Sequence, residues 1–202
     1  YCNRCNQIIA SVDPCEYCGS TERRPWPWSD VAELLDHVAQ SNPSTPNSRR
    51  IGVIFSCIAF ERLLEDLLYV MGFGELFYDE AALIVDALIE GYQGRARMLS
   101  LFAKIGYGSF PEQAAEVGVA EFPTLWDQLA AERNLLVHGR KRRMPENQQP
   151  VDLERFTGAG LRLFAALHNR YNTESANFQA VATQWLAKNK KTCRDFENLK
   201  KK

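Results

Sequence analysis

Residues 51–71 read IGVIFSCIAFERLLEDLLYVM and contain the longest clean apolar run of the chain. Apolar side chains surround most of the circumference of a helix built from this segment, so we expect that helix to lie at the centre of the fold. The run from Ile51 to Phe60 is closed by Glu61 and Arg62, well short of the roughly 20 apolar residues that a membrane span requires. The segment therefore predicts a core helix and no membrane partner.

Helical periodicity continues on both sides of this segment. Caps, glycines and prolines predict a first helix from Ser29 or Asp30 to about Asn42, the central one from Asn47 or Ser48 to about Gly72, a third from Asp79 with breaks at Gly91 and Gly94, a fourth from Phe122 to Gly139, and a last from Asp152 to Tyr171 or as far as Leu186. Gly106, Gly108 and Pro111 are expected to end the third helix and begin a loop that lasts until Phe122. No segment alternates with a period of two, which predicts an all-α fold, an up-and-down helical bundle.

The charge balance limits how the chain could bind a polyanion. Its 202 residues include 24 Lys and Arg against 25 Asp and Glu, for a net charge of -1. This balance gives no global attraction to nucleic acid, so such a partner must be held by a local patch. The length suits one core with a small appendage and excludes a large multidomain enzyme. The N-terminus shows no secretory signal, so we expect a cytoplasmic protein.

Four of the six cysteines have the spacing of a metal site. They form two C-x2-C pairs: Cys2 with Cys5, and Cys15 with Cys18. Two such pairs can place four thiolates tetrahedrally around one Zn²⁺, whereas the alternative, two disulfides, is disfavoured in a reducing compartment. Four thiolates leave no open coordination position, so the expected cofactor is a structural Zn²⁺ and no catalytic metal. Cys57 and Cys193 stand apart and are not expected to bind the ion.

These features divide the chain into four parts: a zinc ribbon over residues 1–20, a linker over 21–28, a helical domain over 29–187 and a basic tail over 188–202. Two prolines keep the linker extended. Trp26 and Trp28 either stack on RNA bases beside Arg23 and Arg24 or attach the ribbon to the helical domain, and attachment is the expected role. The tail is expected to be a solvated chain end.

Two charged residues fall on apolar faces of their helices. On a wheel that turns about 100° per residue, Arg133 lies within about 40° of both Trp126 and Val137. Glu61 lies within about 20° of Ile54 by the same arithmetic. An isolated buried charge costs several kcal/mol or more, so Arg133 and Glu61 are candidates to pair with each other. The alternative is an Arg133 that extends to solvent and an exposed Glu61.

The chain around Arg133 reads ERNLLVHG over residues 132–139. This sequence resembles the R-x4-6-H motif of the HEPN family, in which a polar residue, often Asn, follows the Arg and the His stands at a helix end, frequently before Gly. Asn134, His138 and Gly139 match those positions. The resemblance is close over residues 132–139 and loose over residues 30–187, where it implies a HEPN-like helical bundle, and it does not include the zinc ribbon.

The resemblance implies a metal-independent endoribonuclease, active as a homodimer whose two motifs meet in one cleft. RNA supplies its own nucleophile, the 2′-OH, so cleavage leaves a 2′,3′-cyclic phosphate and a 5′-OH end. The implied catalytic residues are His138 as base or acid, Arg133 as the charge clamp and Asn134 as the group that positions His or phosphate, with Glu61 in support. Arg133 and His138 lie about 140° apart on the wheel, too far for one compact site on a single helix, and a second copy resolves this.

Four cations directly follow the motif: Arg140, Lys141, Arg142 and Arg143. Their place beside the motif predicts RNA-binding residues that hold phosphates without reading sequence, and a solvated loop is the alternative. By family analogy the protein would be a prokaryotic toxin or an antiviral defence effector, with a cognate antitoxin or regulatory protein as a partner. The second candidate function is a non-catalytic RNA- or protein-binding module. His37 and His168 are expected to be ordinary polar or core positions.

Overall fold

The computed structural model of the protein describes residues 2, 7–8, 14–21, 26–41, 45–73, 86–138, 150–173 and 184. In chain order its helices are α1 (Ser29–Gln40), α2 (Pro46–Phe73), α3 (Arg95–Ile105), α4 (Phe110–Glu116), α5 (Phe122–His138) and α6 (Leu153–Thr173). Residues 86–91 are also helical. The described residues form no β-strand, so the all-α prediction is confirmed. None of the helices they form is long and apolar enough to cross a membrane.

The central helix is α2, as its sequence predicts. It contacts α1, α3, α5 and α6. Phe60 of α2 packs against Phe122 of α5 and against Phe156 and Phe164 of α6, with ring centroids 4.9 to 5.9 Å apart. Aromatic pairs of this kind contribute about 0.5–1.5 kcal/mol each beyond the burial of their area. The core of the bundle is therefore an aromatic cluster where α2, α5 and α6 meet.

Gly160 allows α6 to approach this aromatic cluster closely. A Cβ atom at Gly160 would overlap the rings of Phe60 and Phe122. Because a close-packed interior has little free volume, any side chain at this position would have to displace one of those rings. The absence of a side chain at residue 160 is thus a packing requirement of the core.

The first two helices begin earlier in the chain than their predicted caps. Ser29, expected as an N-cap, is already the first residue of α1. Pro46 begins α2 ahead of the expected cap at Asn47. Proline suits a first helical position because the N–H that it lacks would have no helical partner there, and the Arg49 N–H closes the first turn on the Thr45 carbonyl at 3.0 Å. Both differences shift a boundary and leave the helix faces unchanged.

The loop predicted between Pro111 and Phe122 is wrong, because this part of the chain contains α4. Ser109 caps that helix: its hydroxyl accepts a hydrogen bond from the Glu112 N–H, and the Glu112 carboxylate accepts one from the Ser109 N–H at 2.7 Å. The bond from the Ser109 backbone lowers the pKa of Glu112. Pro111 lies in the first turn, where a proline is tolerated.

Other predicted boundaries are confirmed. Gly94, with φ of 89°, precedes α3, and α3 ends at Ile105, directly before Gly106. Asp152 caps α6, because its side-chain oxygen accepts hydrogen bonds from the next residues' N–H groups, Glu154 at 3.0 Å and Arg155 at 3.1 Å. Helix α5 packs against α2, and the candidate site lies on these two helices.

Candidate functional site

The last two turns of α5 carry the motif residues. Asn134 and His138 are exposed, the Arg133 side chain is one third exposed, and α5 extends to His138, the last described residue before Gly139. The structure therefore brings Arg133, Asn134 and His138 to one accessible end of a helix. Several expected features lie outside the described residues: Cys5, Arg23, Arg24, Gly139, Arg140, Lys141, Arg142, Arg143, Cys193 and the tail over 188–202.

Arg133 faces Glu61 of α2, which confirms the pairing predicted from the helical wheels. Arg133 Nη1 lies 3.7 Å from Glu61 Oε1, and the two side chains are 33% and 25% exposed. The separation is longer than a hydrogen bond, and solvent at this exposure screens the attraction. We refer to Glu61 and Arg133 as the open pair. The pairing therefore leaves N–H donors of the Arg133 guanidinium available for another acceptor.

A second ion pair joins the same two helices, and it was not predicted. Glu132 is only 8% exposed. Arg49 donates to both of its carboxylate oxygens, from Nε at 2.9 Å and from Nη2 at 2.8 Å, and the third nitrogen of Arg49 donates to the Val151 carbonyl at 3.2 Å. We refer to Arg49 and Glu132 as the buried pair. Glu132 is therefore the more deeply buried charge of α5, and Arg133 beside it in the chain is only partly buried.

Cys57 of α2 is buried within the electric field of both pairs. Burial raises the pKa of its thiol to about 12, and the negative charge of Glu61 adds to that increase. Because a thiol reacts and binds metals as the thiolate, Cys57 is inert at neutral pH. Its role in the described structure is therefore packing at the centre of α2.

Three of the four predicted metal ligands lie together. The Sγ atoms of Cys2, Cys15 and Cys18 are all within 4.8 Å of one another, and those of Cys2 and Cys18 are 3.5 Å apart. A tetrahedral thiolate site with metal–sulfur bonds of about 2.3 Å requires sulfurs about 3.8 Å apart, whereas a disulfide bond measures about 2.05 Å. The three cysteines fit a metal ion and could hold one.

The turn after Cys15 has the backbone expected of such a site. The Gly19 N–H donates to the Cys15 carbonyl at 2.8 Å, and the Cys15 N–H donates to the Ser20 carbonyl at 3.0 Å. Gly19 has φ of +69°, a left-handed conformation that glycine adopts without steric cost. The turn folds the chain back so that Cys18 lies beside Cys15.

The N-terminal segment packs on the helical domain. The Ile8 N–H donates to the side-chain oxygen of Asn169 at 2.5 Å, and the Asn169 amide donates back to the Ile8 carbonyl at 2.6 Å. Trp26 packs against the core, and Trp28 donates a hydrogen bond to Asp66 of α2. The two tryptophans attach the linker to the helical domain, which is the role expected of them.

The two remaining histidines lie away from the motif. His168 is 7% exposed, and burial lowers its pKa to about 4, so it is neutral at pH 7. His37 is exposed, with its ring centroid 5.6 Å from that of Phe55. Both fit the core and polar positions expected for them, and His138 is the histidine that lies in the motif.

Comparisons of the chain with protein-family models, with curated proteins and with solved structures find no match.

Proposed function

We propose that this protein is a HEPN-type endoribonuclease with a HEPN-like helical domain. It cleaves RNA through the 2′-OH without a catalytic metal and serves as a prokaryotic toxin or antiviral defence effector. The observation that carries the proposal is the end of α5, where Asn134 and His138 are exposed and Arg133 is held only by the long contact of the open pair. An arginine kept partly solvated at a helix end that also carries an accessible histidine suits a ligand-binding role better than a packing role.

In the proposed reaction, His138 removes the proton of the 2′-OH, and the 2′ oxygen forms a bond to the adjacent phosphorus. The bond from phosphorus to the 5′ oxygen breaks, and that oxygen takes a proton from the partner's His138. Arg133 donates to the non-bridging phosphate oxygens, whose negative charge increases in the transition state. Asn134 lies one turn before His138, at about 40° on the wheel, where its amide can position the imidazole or the phosphate.

A homodimer supplies the second histidine in this proposal. Val137, next to His138, is 51% exposed and offers the same end of α5 an apolar contact. We expect the protein to sediment as a dimer at micromolar concentration and expect Val137→Glu to shift it toward monomer. Tyr107→Glu is the control, because it adds the same charge at a side chain that is 54% exposed and lies between α3 and α4. A monomer that retains full cleavage activity contradicts the composite site.

The decisive experiment incubates the protein with RNA in EDTA and analyses the ends of the products. Wild type should give 2′,3′-cyclic phosphate ends, His138→Ala should give none, and His37→Ala, a change at an exposed histidine of α1, should match wild type. Zinc content measured in the same samples shows whether any loss of cleavage in EDTA accompanies removal of the structural Zn²⁺. Retention of RNA without cleavage would instead identify the non-catalytic binding module.

A second comparison separates catalysis from binding. Arg133→Ala should lower the single-turnover rate by about 10²- to 10³-fold, as loss of one transition-state donor does elsewhere, while RNA binding weakens little. Replacing Arg140, Lys141, Arg142 and Arg143 together with alanine should weaken binding and flatten its salt dependence. The roles are exchanged if Arg133→Ala abolishes binding and the fourfold variant loses rate at saturating RNA.

We further propose that Cys2, Cys15 and Cys18 bind one structural Zn²⁺ with Cys5 as the fourth ligand. Elemental analysis should find one zinc per chain, and Cys18→Ser should lower that content. Cys57→Ala is the control, because Cys57 is buried in α2 and should leave the zinc content unchanged. Purified protein without zinc, or with a Cys2–Cys5 disulfide, contradicts the assignment.

A further inference from the structure

A groove with a volume of about 310 Å³ lies between α3, α4 and α5, outside the motif. Its walls are mainly apolar and include Leu99, Phe110, Pro111 and Trp126. Sites for small ligands begin at about 300 Å³, are mostly apolar, and carry a few placed polar groups that set specificity. The groove therefore has room for one small planar group.

The polar groups of the groove form an ion pair between Arg95 and Asp127. Arg95 Nη1 lies 2.6 Å from Asp127 Oδ1, and the Arg95 guanidinium lies 5.5 Å from the centroid of the Trp126 ring. The Arg95 side chain is 20% exposed and that of Asp127 is 70% exposed. The ring and the carboxylate fix the guanidinium in place. A single ion-pair contact leaves donors on Arg95 and an acceptor oxygen on Asp127 for a ligand.

The groove lies on the same side of α5 as the motif. Trp126 and Arg133 are seven residues apart, which places them within about 20° on the wheel and about 10 Å apart along the helix axis. The positive charges of Arg95 and Arg133 also both act on the thiol of Cys57 in α2. A ligand in the groove would therefore lie close to a phosphate held by Arg133, without overlapping it.

We propose that this groove binds a guanine base of the RNA substrate, next to the cleavage site. Unstacked RNA bases are read by hydrogen bonds to their edges, and guanine presents an O6 acceptor beside its N1–H and N2–H donors. The two oxygens of Asp127 accept from the two donors while Oδ1 keeps its contact to Arg95, Arg95 also donates to O6, and apolar groups of the groove contact the ring. Adenine presents the opposite pattern, and uracil has only one N–H for the carboxylate. The identity of the ligand as substrate rests on the proposed ribonuclease function.

Binding of the free nucleotides GMP, IMP, AMP and UMP, measured by titration calorimetry, tests the site without cleavage. GMP should bind about 10- to 100-fold more tightly than AMP, because adenine offers Asp127 no adjacent pair of N–H donors and offers Arg95 no O6 acceptor. IMP, which lacks the N2 donor, should bind with intermediate affinity. Asp127→Asn should remove most of the preference for GMP over AMP.

Two groove variants and one control locate the site. Arg95→Ala should weaken GMP binding by about tenfold or more, as loss of a charge-assisted hydrogen bond does. Arg97→Ala removes the same charge from the same first turn of α3, but Arg97 is exposed and does not line the groove, so it should bind GMP like wild type. Ser100→Trp fills the groove from an exposed position and should block GMP while keeping the Arg95–Asp127 pair.

The outcomes separate the two proposals. Absence of GMP binding, equal binding of all four nucleotides, or equal effects of Arg95→Ala and Arg97→Ala overturns the guanine site. Cleavage of RNA with no preference for guanine near the cut also overturns it and leaves the ribonuclease intact. His138→Ala should keep GMP binding. GMP binding that depends on Asp127 in a protein that cleaves no RNA supports the guanine site and rejects the ribonuclease.

Discussion

The buried pair and the open pair use adjacent residues of α5 and the same partner helix, yet their geometries are opposite. Glu132 receives two short hydrogen bonds from Arg49 at 2.9 and 2.8 Å, whereas Arg133 lies 3.7 Å from Glu61. A desolvated carboxylate requires a bidentate partner, because its charge cannot be left unpaired, while a solvated pair contributes little to stability. The buried pair therefore stabilises the fold, and the open pair is accessible to a ligand.

The largest effect should follow from breaking the buried pair. Glu132→Ala should lower the free energy of unfolding by about 3 kcal/mol, because Arg49 would keep its charge with no carboxylate beside it. Urea denaturation measures the loss. The double variant Arg49→Met with Glu132→Leu should recover most of it, since apolar side chains of similar volume can replace a buried ion pair at little cost. Equal destabilisation in the double variant would mean that the pair itself contributes the stability.

The reactivity of the Cys57 thiol offers a second measurement of these variants, because Cys57 lies close to charged groups of both pairs. A thiol whose pKa is raised by burial reacts slowly with iodoacetamide until the structure opens. Alkylation of Cys57, measured by mass spectrometry, should accelerate in Glu132→Ala and stay at the wild-type rate in Arg133→Ala. Equal rates in the two variants would remove the distinction between the pairs.

Asp66 is another partly buried carboxylate, but it accepts a hydrogen bond from the indole of Trp28, whereas Glu132 accepts from a guanidinium. Burial raises the pKa of Asp66 from 3.8 to about 6, and the negative charge of Asp30 adds to it. As the pH rises from about 4 to about 6, the unfolded chain releases this proton before the folded chain does, so stability falls. Asp66→Asn should therefore stabilise the protein by about 1–2 kcal/mol at pH 7, allowing for partial solvent screening.

Thermal melting of Asp66→Asn and wild type across pH checks this sign. The advantage of the variant should shrink as the pH falls from 6 to below 4, where Asp66 is protonated in both states. An advantage that does not change with pH would show that the charge of Asp66 is not its source.

The smallest stability effect should come from the open pair. Glu61→Gln should change the free energy of unfolding by less than about 1 kcal/mol, because both side chains are partly solvated. It should nevertheless lower the RNA cleavage rate, since Glu61 is the group that holds Arg133 toward α2. A stability loss as large as that of Glu132→Ala would make the open pair structural and remove the argument that Arg133 is kept for a ligand.

Local patterns were sufficient to predict every described helix except α4, and to predict the open pair. The apolar run of α2 predicts its central place, and the positions of Arg133 and Glu61 on their wheels predict that they meet. For the buried pair, the sequence pattern indicates only the position of Glu132. Leu129 and Leu136 lie three residues before and four after Glu132, which puts it on their face of α5. Arg49 is 83 residues away in the chain, so only the folded topology identifies it as the partner.

Helix α4 is not predicted because Pro111 and two nearby glycines are typical of a helix break. Proline is nevertheless tolerated in a first turn, and Ser109 with Glu112 has the spacing of a capping box. The groove could not be predicted at all. Its walls come from α3, α4 and α5, and the meeting of Arg95 with Asp127 depends on how those helices pack.

The reciprocal hydrogen bonds between Ile8 and Asn169 join the segment between Cys2 and Cys15 to α6, so metal binding at the cysteines would be linked thermodynamically to that contact. A metal ion held by Cys2, Cys15 and Cys18 would order the segment that carries Ile8 and thereby favour its bonds to Asn169. Because such linkage is reciprocal, loss of those bonds must weaken metal affinity by the same factor by which the metal strengthens them. The free metal concentration would then act on the melting of the helical domain, as any ligand of the folded state does.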